Sequence, residues 1–241
     1  RQRQMCIRDS TSGHYNGTKY NVVPRLLNAA DYGVPQIRHR VVIVGFREDL
    51  GVEWSFPDGE YSREALLYSK FVTGEYWDIH KIATKHRSAP PQADLKKAEQ
   101  FASKYAGYKD KPRPWKTVRD AIFDLPDPRS NAAIGVPNHE FRPGARSYTG
   151  HTGSILDEPS KTIKAGSHGV PGGENSVVLD DGSVRYYTVR ESARIQTFPD
   201  DYLFFGSWTE SMRQIGNAVP VKLAQMVGAV SYTHLRAHET G

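Results

Sequence analysis

The sequence predicts a mixed α/β chain, and three observations carry that expectation. "YNVVPRLLNAADYGVPQIRHRVVIVGF" (Tyr20 to Phe46) reads as strand, turn, strand, with Asn28 to Gly33 and Pro35 supplying the connection. "YTVRESARIQTFPDDY" opens a helix, because Thr188 and Glu191 stand in capping-box register and Phe198-Pro199 closes it. "MRQIGNAVPVKLAQMVGAV" places Gly216 and Asn217 in a turn and Pro220 in the first turn of a last helix, where its missing N–H does no harm.

Taken in order, the first hairpin contains the most pointed pattern. Gln36, Arg38 and Arg40 occupy every second position, so in a strand they share one face, just before Val41 to Val44 enter a core. Two readings stand at this point. The three side chains hold something planar and electron-rich, or they form a solvated strand start whose arginines pair with nearby acids.

After Pro57, "SREALLYSKFVTGEYW" offers Ser62 as a helix cap. "ADLKKAEQFASKYAGY" (Ala93 to Tyr108) reads as a helix with a solvated basic face, stopped by Gly107. "TVRDAIFDLPDP" offers a short helix ended by Pro126 and Pro128. Residues 131 to 185 are rich in Gly, Pro, Ser and His, with short β-like pieces around Thr162 and Val177 and a hairpin signal at "LDDGSV".

The two ends, "RQRQMCIRDS" and "SYTHLRAHETG", lack helical and strand periodicity. Both resemble translated sequencing-adaptor read-through, so residues 1–10 and 231–241 are set aside from fold reasoning. On that reading Cys6 is not native, and the native chain continues beyond one or both ends.

Composition bounds the function. The chain has 241 residues, 38% hydrophobic, with a formal net charge of +5, a balance that suits a polyanion partner. No apolar run reaches the roughly 18 residues of a membrane helix. The single cysteine excludes a disulfide framework and a cysteine zinc cluster, so a cytoplasmic protein is expected. Zinc-ligand spacings are missing, so no metal is expected and His139, His151 and His168 read as polar loop residues.

Three segments, "NAADYGVPQIRHRVVIVGFR", "TVRESARIQTFPDDYLF" and "QIGNAVPVKLA", resemble in content and order the later blocks of DNA (cytosine-5) methyltransferases. The resemblance covers about Tyr20 to Val230. It implies the C-terminal part of a Rossmann-like methyltransferase domain with an inserted, irregular, β-containing target-recognition domain. Residues 11–56 would supply the last strands of the catalytic domain, 57–185 the recognition domain, and 186–230 the closing helices.

The implied reaction moves a methyl group from S-adenosyl-L-methionine to carbon 5 of a cytosine flipped out of double-stranded DNA. The implied setting is a restriction-modification system. By resemblance Arg40 lies near the O2 edge of that base, while Arg38 helps fix the surrounding pocket and catalytic loop, and Gln36 of the same block is counted with them as catalytic. Asn217, Ala218 and Val219 line the cofactor pocket, with backbone N–H groups of the turn and helix start facing it. Thr162 to Asn175 is the expected recognition loop, with Lys164, Ser167 and His168 as donors. Arg190 and Arg194, with Glu191, either contact phosphate or simply brace a helix.

The nucleophile block (Pro-Cys) and the Glu-Asn-Val block are absent, so no catalytic thiolate is named and the given chain is expected to be inactive alone. The missing N-terminal half of the enzyme becomes an expected partner. The rival readings are a non-catalytic DNA-binding module and one half of a split methyltransferase.

Overall fold

A computed structural model of the protein describes residues 12–15, 18–165 and 174–239; of residues 12–15, 18 and 233–239 only the backbone is described. Cys6, Ser167 and His168 lie outside the described residues.

The chain opens with an antiparallel sheet of β1 (Ser12–Tyr15), β2 (Thr18–Asn28) and β3 (His39–Arg47), in that order. The β2–β3 pairing sets Leu27 opposite Arg40 and Pro24 opposite Ile43. A 3-10 turn, Ala29–Tyr32, joins them, capped by the Asn28 side chain accepting from Ala30 N. Strand alternation splits the valine run between two faces. Val42 and Val44 pack on a core of Leu27, Tyr32, Phe46, Trp54 and Phe56, whereas Val41 and Ile43 stay 49% and 53% exposed. The expectation that Val41 to Val44 enter a core together therefore holds for one face only.

The following lobe is more helical than the sequence suggests. Helices α1 (Arg63–Phe71), α2 (Glu75–Ile79) and α3 (Gln92–Lys104) are bracketed by a parallel pair, β4 (Tyr61–Ser62) and β5 (Arg113–Pro114). Ser62 caps α1 by accepting from Ala65 N at 3.1 Å. Leu66, Tyr76 and Trp77 form its small core, and Lys96 and Lys97 face solvent as expected.

Helix α4 (Val118–Ile122) starts at a Thr117–Asp120 capping box and stops well before Pro126. A mixed sheet, β6 (Ser154–Ile155), β7 (Ser176–Val178) and β8 (Val184–Tyr186), carries the expected hairpin at Asp181-Gly182. Thr162 lies in none of these strands.

Thr188 and Glu191 form the capping box of α5 (Val189–Ile195), which ends before Phe198-Pro199, with Thr197 at a φ of 60°. Helix α6 (Trp208–Asn217) includes Gly216 and Asn217, so these are the end of a helix and not a turn. The bend falls instead on Ala218 and Val219, ahead of α7 (Val221–Glu239). That last helix continues through the segment after Val230 that was expected to lack periodicity.

The cores divide the chain differently from the expected boundary at residue 185. Val118, Ile163 and Val177 share one core with Tyr187, Ala193, Met212 and Ile215. Leu223 of α7 belongs to the first core, beneath β2 and β3, with Met226, Val227 and Val230 packed against it. The last helix thus returns to the opening sheet.

Candidate active-site joint

Gln36, Arg38 and Arg40 differ in burial. Gln36 and Arg38 are wholly enclosed and Arg40 is half-buried, so the solvated-strand reading fails for the first two. Among the described residues Arg38 reaches no carboxylate. Its Nη2 donates to the carbonyls of Gly216 at 2.6 Å and Ala218 at 3.1 Å, and its Nη1 donates to Ile163 O at 3.3 Å. The last carbonyls of a helix have no partner within it and sit at the negative end of its dipole, which suits a guanidinium. Burial, with Arg40's like charge adding to it, pulls the Arg38 pKa down to about 10. Gln36 Oε1 accepts from Ile163 N at 3.1 Å, so both residues grip the backbone that leads into the expected recognition loop.

Arg40 has its Nη1 on the carbonyl of His39 at 2.7 Å and meets no carboxylate among the described residues. Partial burial lowers its pKa from the ordinary arginine value. A guanidinium free of ion pairs at the edge of the joint keeps planar donors available.

The neck of the Thr162 to Asn175 segment is pinned from both sides. Glu174 N donates to Thr162 O at 3.0 Å. Lys164 N donates to Asn175 Oδ1 at 2.8 Å, and Asn175 Nδ2 donates back to Lys164 O at 3.3 Å. The joint also fits tightly against α6. A Cβ added at Gly216 would fall 2.5 Å from the carbonyl carbon and oxygen of Lys164, so only glycine permits this approach.

Arg190 and Arg194 are held inside the fold, as the bracing alternative has them. Arg190 is 1% exposed, and it donates to the carbonyls of Pro137, Pro199 and Tyr202 at 3.2, 3.4 and 3.1 Å. Arg194 is held by Asp124 at 2.6 Å and Asp200 at 2.7 Å. Their place in a helix that closes a core explains both. Glu191 is likewise internal, taking two 2.6 Å bonds from Arg185.

The closing block needs a second correction. Val221 N donates to Gln196 O at 3.0 Å and Lys222 N to Thr197 Oγ1 at 2.9 Å, so the first N–H groups of α7 are already used. The exposed Asn217 side chain, half-buried Ala218 and 49%-exposed Val219 can still line a ligand with a polar amide and an apolar wall. His139 is a polar loop residue, as expected, and a buried one, bonded to Thr188 Oγ1 at 2.9 Å and Pro126 O at 2.8 Å. Gln196 and Thr197, which cap α7, carried no local signal of that role.

Residues 13–231 match the family model described as C-5 cytosine-specific DNA methylase. The chain belongs to this family. Among curated C-5 cytosine methylase relatives, the Type II methyltransferase M.MthTI of Methanothermobacter thermautotrophicus is 34% identical over 86% of this chain and 54% of its own length. M.NgoFVII of Neisseria gonorrhoeae is 33% identical over 91% of this chain and 54% of its own. The chain therefore spans about half the length of these relatives. A crystal structure of a candidate DNA modification methyltransferase from an E. coli prophage superposes with a TM-score of 0.51 at 18% identity. It covers 98% of this chain and 66% of that one, and supports the α/β methylase fold. Among the described residues of this methylase chain no cluster of ligands could hold a metal ion, and no helix is long and apolar enough to cross a membrane.

Proposed function

We propose that the chain is the DNA-reading and closing half of a DNA (cytosine-5) methyltransferase acting on a cytosine flipped out of duplex DNA. The observation that carries this reading is the Arg38 joint. One buried guanidinium ties together the strand bearing Arg40, the neck of the recognition loop after Ile163, and the Gly216–Ala218 bend. Three sequence blocks with separate tasks in the reaction meet around it.

Arg40 holds the O2 edge of the flipped base through its planar donors. Arg38 and Gln36 act one step back, fixing the loop neck and the bend. Asn217, Ala218 and Val219 line the pocket for S-adenosylmethionine, which supplies an activated methyl group when bound. Lys164, beside the pinned neck, addresses DNA, and the reading keeps Ser167 and His168, which lie outside the described residues, as further donors. The thiolate that attacks carbon 6 comes from an upstream half. Leu26, Val41 and Ile43, exposed by 63%, 49% and 53% on one face of the first sheet, are the surface we assign to that half.

The test is methyl transfer from labelled S-adenosylmethionine to duplex DNA. The chain alone should give none, and the chain joined to an upstream half carrying the Pro-Cys and Glu-Asn-Val blocks should give methylated cytosine. A joined enzyme that binds duplex DNA and S-adenosylmethionine yet transfers nothing would favour the non-catalytic DNA-binding module.

A further inference from the structure

Several arginines on the surface are closed off by carboxylates: Arg47 by Asp49, Arg119 by Asp157 and Asp180, Arg129 by Asp127, Arg213 by Glu210. Arg142 and Arg146 have no carboxylate and no hydrogen-bond partner among the described residues, and the Lys164 ammonium has none either. All three line one cleft of about 250 Å³ between the Arg142–His151 segment and the loop neck.

The cleft is also stiffened. The Arg142 guanidinium lies 4.5 Å over the ring of Trp208, whose Nε1 is itself fixed on Tyr187 O at 3.0 Å. Stacking covers one face of the guanidinium and leaves its edge donors outward. Tyr148 and His151 exchange backbone bonds of 3.0 and 2.8 Å across a tight turn that needs the positive φ of Gly150, and their rings meet at 4.6 Å. The carboxylate in the lining, Glu174, is offset by the Lys161 ammonium at 2.9 Å, with Thr152 N donating to the same oxygen at 3.0 Å and Oε2 buried without a partner. The cleft is therefore cationic, rigid and open.

We propose that this cleft seats the phosphate backbone of duplex DNA, with Arg142 and Arg146 as phosphate-contacting residues and Lys164 beside them at the loop neck. The assignment rests on the DNA reading above. Two arginines with fork-shaped donors suit phosphate oxygens, and such contacts fix the register of the protein on the duplex without reading sequence. Position then determines function: the duplex is held where the 162–175 loop leaves its neck.

The experiment measures binding of the full chain to a short labelled duplex across a salt series. Arg142→Ala and Arg146→Ala should each weaken binding about fivefold at physiological salt, equally for all sequences, and lower the salt slope by about one unit. Arg142→Lys should keep the slope but lose affinity, because an ammonium does not lie flat on Trp208. Arg129→Ala, whose guanidinium is closed off by Asp127, should change nothing. Wild-type slopes in both alanine variants, with wild-type binding intact, would overturn the site and leave the DNA reading standing. No binding by the wild-type chain would overturn the DNA reading itself. Displacement of the duplex by millimolar inorganic phosphate would mark a small-anion pocket and also overturn the site.

Discussion

Arg38 and Gly216 stand 178 residues apart in sequence and are joined by a 2.6 Å bond from the guanidinium to the glycine carbonyl. The same glycine presses its α-carbon against the Lys164 backbone. The opening strand, the loop neck and the closing helix therefore share one point of contact, and a change at that point is felt by all three.

Gly216→Ala should be destabilising by about 1–3 kcal/mol, the usual cost of overpacking, because the new methyl meets backbone and cannot be accommodated by a side-chain rotation. Urea unfolding should show a lower midpoint with an unchanged slope. An unchanged midpoint would mean that the 163–165 segment yields freely.

Glu191→Gln should cost about 3–5 kcal/mol, since it leaves the Arg185 charge enclosed without its carboxylate. Arg185 and Glu191 are only 9% and 2% exposed at their side chains. The variant should melt well below the wild type, and a melting temperature within a degree or two would show that water reaches the pair.

Asp120 gives a pH dependence. Burial tends to raise its pKa, but bonds from His80 and Thr117 N, with Lys116 nearby, outweigh it, and the folded-state pKa lies below the ordinary value. A depressed acid contributes stability that is present above its unfolded pKa, about 4, and is lost as pH falls through the folded pKa. Asp120→Asn should remove the charge and half of the α4 capping box, costing about 1 kcal/mol at neutral pH. Wild type and variant should converge as the pH falls through the folded pKa, and stability curves that stay parallel to the acid limit would refute the assignment.

Arg40→Ala in the joined enzyme should lower turnover far more than DNA affinity if, as proposed, its contact is with the flipped base. Arg40→Lys should rescue poorly. Single-turnover methylation at saturating DNA separates the two, and near-normal turnover in the alanine variant would return Arg40 to a strand-end role.

Local signals were legible in the sequence wherever the deciding atoms are near neighbours. The Thr188–Glu191 box, the Ser62 cap and the Asp181-Gly182 hairpin depend on two to four consecutive residues, and all three form. Gly216-Asn217 read as a turn because Gly and Asn favour one, yet the deciding partner is the Lys164–Ala165 backbone, some fifty residues earlier, which requires a helix without a Cβ there. Arg190 and Arg194 looked like phosphate ligands because sequence shows charge and not the carbonyls and carboxylates that surround it. The role proposed for Arg142 was hidden for the same reason: its distinguishing feature is the missing counter-charge among the described residues, visible only once the acids around it have positions.

The return of α7 to the opening sheet has a consequence for synthesis. Leu27, Phe46 and Trp54 leave the ribosome well before Leu223, Met226 and Val227, which complete the same core. Nearly the whole intervening chain must wait beside an unfinished apolar surface, so nascent chains halted before α7 should be strong chaperone clients and readily cleaved by proteases.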